Sequence, residues 1–140
     1  MKILVAVDGS PYTKRMLAYL TAHDEWLGPQ HAYTVIHVVP PLPPRATAVL
    51  AKEVLKSHYS EEAERVLKTI RVFLGKQGIV AEYVCKTGVA AEVIAAAADK
   101  GKYEMLVMGS HGHGSLGNLV LGSVATKVLA QCRTPVLLIR

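Results

Sequence analysis

The stretch Met108-Gly109-Ser110-His111-Gly112-His113-Gly114-Ser115-Leu116-Gly117-Asn118-Leu119-Val120-Leu121-Gly122-Ser123 sets five glycines and three serines between an apolar run, Met105 to Met108, and a helical pattern, Val124 to Gln131. The apolar run reads as a buried strand, so the glycines fill a strand-to-helix turn. Glycine at such a turn admits positive φ and lets backbone approach a ligand without a Cβ in the way. The start of the following helix supplies unpaired N–H groups and partial positive charge. Together these features predict a loop that holds phosphate.

Three phosphate motifs are testable against the loop. Gly112 to Gly117 is a literal G-x-G-x-x-G, but the dinucleotide unit needs the first strand–helix turn and an acid about 20 residues on. This loop is the last of its kind, and no Asp or Glu follows Glu104. Gly117 to Gly122-Ser123 has a P-loop spacing with Ser123 where Lys is required. Both fail. The spacing that remains is Gly109-x2-Gly112-x9-Gly122-Ser123, which resembles the nucleotide-binding signature of the universal stress protein family.

The resemblance extends along nearly the whole chain, in order. Ile3-Leu4-Val5-Ala6-Val7-Asp8-Gly9-Ser10 resembles the family's opening strand and acidic turn. Ile36-His37-Val38-Val39-Pro40 is similar to the end of its second strand, and Thr134 to Ile139 to its last.

Length and composition point the same way independently. At 140 residues, half apolar and a fifth charged, the sequence predicts one domain spanning 1–140 with a real core. No apolar run approaches the ~20 residues of a membrane span. One Lys and six apolar residues before Asp8 are too short for a signal peptide, so a cytoplasmic protein without a membrane is expected. Cys85 and Cys132 stand apart and read as small buried residues. The net charge of +5 suggests an anionic partner. The bases are scattered without interleaved aromatics, so a small anion is expected rather than nucleic acid.

Periodicity lays out alternating strands and helices. Lys2 to Val7 reads as a first strand. Ser10 caps a helix with Pro11 in its first turn, and Gly28-Pro29 stops it. Thr34 to Val39 is a second strand. Pro40-Pro41-Leu42-Pro43-Pro44 reads as an extended loop, either a lid over the site or a plain connector. Leu55 to Leu74 is an amphipathic helix with a break expected near Ser57 to Ser60. Val80 to Cys85, Glu104 to Met108 and Pro135 to Ile139 complete five strands, with an Ala-rich helix at Ala90 to Asp99. This alternation predicts an α/β fold, a doubly wound parallel sheet with helices on both faces. The family resemblance implies the strand order 3-2-1-4-5, whose switch point lies between strands one and four.

The resemblance also implies roles. Gly109 and Gly112 would let backbone pass close to ribose and phosphate, and Gly122, Ser123 and the Val124 N–H would meet the phosphates. Val38 and Met108 would hold adenine. Asp8 would accept from ribose or hold Mg²⁺ through water; otherwise it caps the turn beside Gly9 and Ser10. ATP or AMP is the implied ligand. Many family members carry Arg where His113 stands, and often a second base near Asn118, so a triphosphate should be held less well than a monophosphate. His111-x-His113 lacks a third metal ligand nearby. Two functions compete: a nucleotide-binding stress-response regulator, and a slow ATPase or phosphotransferase on the same site. The loop has no Lys or Arg before Lys127, which favours binding over turnover. A homodimer through strand 135–139 is expected, because that apolar strand lies at a sheet edge.

Overall fold

The computed structural model describes residues 1–114 and 118–140; Ser115, Leu116 and Gly117 of the glycine loop lie outside the described residues. The chain runs β1 (Lys2–Val7), α1 (Pro11–Ala22), α2 (Asp24–Leu27), β2 (Ala32–Val39), α3 (Pro44–Val49), α4 (Lys52–Lys76), β3 (Ala81–Thr87), α5 (Ala90–Lys100), β4 (Met105–Gly109), α6 (Ser123–Gln131) and β5 (Val136–Ile139). The five strands form one parallel sheet in the order β3-β2-β1-β4-β5. The helix coverage is that expected from the alternation of strands and helices, and the strand order is the one the family resemblance implies.

Strand alternation divides the core into two layers. Ile3, Val5 and Val7 of β1 face Met16, Leu17 and Leu20 of α1 and Ala63, Val66 and Ile70 of α4. Leu4 and Ala6 point the other way, toward Ala91, Ile94 and Ala98 of α5 and Ala125 and Val128 of α6. Both faces of β1 are thus buried, as its unbroken apolar run requires. The small side chains of α5 leave room for α6 beside it.

Three local expectations are corrected. The first helix ends at Ala22 rather than at Gly28. His23 Nδ1 donates to the Tyr19 carbonyl at 2.9 Å, the acceptor that a continuing helix would give to the His23 N–H. A single turn, α2, follows before Gly28. No break interrupts α4 near Ser57 to Ser60. Ser57 instead donates to Glu61 one turn on, at 3.2 Å. Pro44 belongs to a helix rather than a loop, since a proline suits a first helical position. The remaining Pro40 to Pro43 segment is tied down where the Leu42 N–H donates to the Tyr59 hydroxyl.

Cys85 is exposed on β3 rather than buried, because β3 is an edge strand, and Cys132 is half-buried; both are free thiols. Tyr33 donates to the Leu27 carbonyl, and burial pushes its phenol pKa up to about 12.

Asp99, near the end of α5, fastens the connection from α6 to β5. Its carboxylate accepts from the Arg133 N–H at 3.1 Å and from the Thr134 N–H and hydroxyl at 3.0 and 2.8 Å. The Arg133 amide first, then Thr134, hold the carboxyl below its ordinary value. A carboxyl with a depressed folded pKa contributes stability above its unfolded value, about 3.9, and loses it as pH falls through the folded one. The expected result is that the parent is more stable than Asp99→Asn at neutral pH and that this difference shrinks as pH drops below about 4. Urea unfolding at a series of pH values measures it.

Candidate functional site

A cleft of about 530 Å³ opens at the carboxyl ends of β1, β2 and β4. It sits where the connections from adjacent β1 and β4 diverge, the place at which open α/β sheets leave a crevice. A second hollow, of about 500 Å³ between α4 and the β3 edge, includes no described residue of the glycine loop.

One side of the cleft is apolar. Ala6, Val38, Ile94, Met108 and Ala125 line it, all from the layer covered by α5 and α6. Val38 and Met108 are 7% and 5% exposed, so they offer a firm wall. The other side is polar and includes Asp8, Thr13, His37, Glu62 and Arg65. The glycine loop closes the end, with Gly112, His113, Gly114, Gly122 and Ser123 among the lining residues.

Each glycine of the signature is small for a definable reason. A Cβ on Gly109 would stand 2.9 Å from Tyr12 Cβ, so α1 packs directly on it. A Cβ on Gly112 would stand 2.5 Å from Asp8 Oδ2. One on Gly122 would stand 3.0 Å from His111 Cα and 3.2 Å from the Ser110 carbonyl oxygen. Positive φ, expected as part of the glycine role, occurs among the described loop residues at Gly114 alone. At the other three, the close approach of Tyr12, of the Asp8 carboxylate and of the Ser110–His111 backbone, respectively, leaves no room for a side chain.

Gly122 is the N-cap of α6 and has no side chain to give. No side-chain cap therefore competes for the first N–H groups of Ser123, Val124 and Ala125, which a helix leaves unpaired. Ser123 is exposed at this end and lines the cleft with Val124.

Asp8 divides its carboxylate. Oδ1 accepts from the Ser10 N–H at 2.8 Å and the Thr13 hydroxyl at 2.9 Å, the turn-capping alternative read from sequence. No described residue donates to Oδ2, which faces Gly112. The loop imidazoles are also tied. His113 Nε2 donates to the Asp8 carbonyl and His111 Nε2 to the Leu119 carbonyl, each at 2.8 Å. The second bond fixes the His111 tautomer, so the Ser110 hydroxyl donates to Nδ1 at 2.8 Å. Among the described residues, no three His, Cys, Asp or Glu side chains gather as a metal cluster.

All eight sequence-predicted site residues, Asp8, Val38, Met108, Gly109, Gly112, Gly122, Ser123 and Val124, meet on this one cleft. Sequence reasoning missed His37, Glu62 and Arg65. His37 carried a usable signal, a polar residue within an apolar strand. Glu62 and Arg65 carried none, since their place depends on α4 crossing the β1–α1 turn, where Val66 limits the space at Gly9 to 3.3 Å.

A family model described as the universal stress protein family matches residues 1–140. The chain belongs to the universal stress protein family. A universal stress protein of Thermus aquaticus, named for its place in the QAH/OAS sulfhydrylase 3′ region, is 35% identical over 138 residues, covering 99% of this chain and 97% of its own. The solved structure of protein MJ0577 from Methanocaldococcus jannaschii superposes with a TM-score of 0.81 at 26% identity, over 99% of this chain and 94% of the other. A universal stress protein from Archaeoglobus fulgidus, solved in complex with dAMP, superposes at 0.70 with 23% identity, over 100% and 98%. The last likeness is one of fold. No helix among the described residues of this universal stress protein is long and apolar enough to cross a membrane.

Proposed function

We propose that residues 1–140 act as one nucleotide-binding domain that holds an adenine nucleotide in the cleft and serves as a stress-response regulator. The observation that carries the reading is the pairing of an apolar slot with an uncapped helix start across the ends of β1 and β4. Adenine fits against Val38 and Met108. The phosphate fits at Gly122, Ser123 and the Val124 N–H, where each charge-assisted hydrogen bond contributes roughly 1.5–3 kcal/mol. Gly112 keeps the cradle open beside Asp8. The dAMP held by the Archaeoglobus relative supports an adenine ligand for a cleft of this kind.

A monophosphate suits this cleft better than a triphosphate. The loop imidazoles spend their Nε2 protons on backbone carbonyls. Arg65 is paired with Glu62 at 3.2 Å. Little cationic charge is left to neutralise a β- and γ-phosphate, and phosphoryl transfer needs such charge in the transition state. We therefore assign binding rather than turnover. If Mg²⁺ accompanies ATP, Asp8 Oδ2 is the carboxylate oxygen that would hold it through water. Calorimetric titration with AMP and ATP tests the assignment: saturable binding of AMP, with ATP no tighter, is expected. Absence of binding by either nucleotide rejects it.

A further inference from the structure

His37 is a polar residue inside an apolar strand, and at 7% exposure its ring is held in place. Nδ1 lies 2.9 Å from the Val7 carbonyl oxygen, across the register pair Val7–His37. A carbonyl only accepts, so Nδ1 carries the proton. The neutral ring has one N–H, which leaves Nε2 as a bare acceptor. No described residue donates to it. No buried side-chain nitrogen or oxygen among the described residues lacks a partner, so Nε2 is not sealed from solvent, and His37 is one of the residues that line the cleft.

An acceptor fixed in this way calls for a ligand that donates. Asp8 Oδ2, on the same polar side, is an acceptor as well. Phosphate oxygens at neutral pH do not donate, and the adenine base donates only from its exocyclic amine. With the base on the apolar side and the phosphate at the α6 start, the sugar falls between them, against the ends of β1 and β2. Its hydroxyls are the donors that face this polar side.

We propose that His37 Nε2 accepts a hydrogen bond from one ribose hydroxyl, 2′ or 3′, and makes the cleft prefer AMP over the deoxy analogue that lacks that hydroxyl. This rests on the nucleotide reading above. A site built to receive a hydroxyl rejects the analogue that lacks it, because its own acceptor is then stranded. The net worth of one such bond corresponds to a preference of about 3- to 10-fold.

Dissociation constants for AMP, 2′-dAMP and 3′-dAMP, measured on the parent and on His37→Asn, test the proposal. The shorter amide retains an N–H toward the Val7 carbonyl but has no acceptor at the Nε2 position. The parent should bind AMP about 3- to 10-fold tighter than one of the two deoxy analogues. In His37→Asn that ratio should fall close to one. An unchanged ratio in the variant overturns the proposal, as does a parent that binds all three equally. A parent that binds none of them overturns the nucleotide reading itself. Should His37→Asn fail to fold, the ¹⁵N resonance of His37 Nε2 in the parent decides: it should move with AMP and move less with the disfavoured analogue, and equal shifts overturn the proposal.

Discussion

Replacing Gly122 by Val should abolish nucleotide binding. Two effects converge on this position. The added side chain would stand at the N-cap of α6, in the path of a phosphate approaching the Ser123 and Val124 N–H groups. It would also press on backbone, since a Cβ there lies 3.0 Å from His111 Cα and 3.2 Å from the Ser110 carbonyl oxygen. Backbone yields less readily than the tip of a long side chain, so the Ser110–His111 turn must shift with it. The Gly122 N–H already donates to that Ser110 carbonyl at 2.8 Å, and this bond is strained in the variant. Calorimetry should find no AMP binding by Gly122→Val, with the ligand-free protein still folded but less stable. Overpacking of this type typically costs about 1–3 kcal/mol. Retained affinity within threefold of the parent would remove the phosphate from the α6 start.

The second large effect is on assembly. We propose that two copies pair through β5, as an apolar edge strand invites. The two edges of the sheet differ: β3 carries Glu82 and Lys86, whereas β5 has no charge between Val136 and Ile139. Hydrogen-bond parity then selects a probe. The Pro135 and Ile139 carbonyls accept from the Leu106 and Ser110 N–H groups, so the odd-numbered residues face β4. Val136 and Leu138 therefore turn their N–H and C=O groups toward the free edge. Leu138→Pro removes an outward donor and no bond to β4, and Leu138→Lys adds charge to the same edge. Light scattering should give the parent about twice the 15.1 kDa of one chain. The Pro variant should give the single-chain mass while remaining folded. A parent at the single-chain mass across a wide concentration range contradicts the dimer.

What the sequence disclosed follows from where its signals originate. β1 was legible to the residue, because a strand buried on both faces must be an unbroken apolar run ended by Asp8-Gly9. Strand order came from the resemblance rather than from periodicity, which leaves it open. The continuity of α4 was not legible. Its first half packs little, with Leu55, His58 and Tyr59 only half-buried, so the apolar spacing there is weak. The end of α1 depended on one side chain, His23, taking a carbonyl from its own helix. Within the cleft, residues on β1, β2, β4 and the loop could be inferred from strand ends. Glu62 and Arg65 could not, since their approach exists only once α4 has docked against Gly9. The glycine roles were half legible: the need for space was right at Gly109, Gly112 and Gly122, but its cause is Tyr12, Asp8 and the Ser110–His111 backbone.

Thermal unfolding of the parent with and without AMP tests the central assignment most directly. A ligand that binds only the folded state at 100 times its dissociation constant adds about 2.7 kcal/mol, or roughly 5–10 °C for a chain of this size. A rise of that order with AMP is the expected result. A melting curve that does not move with millimolar AMP, ADP or ATP contradicts the assignment of this cleft to an adenine nucleotide.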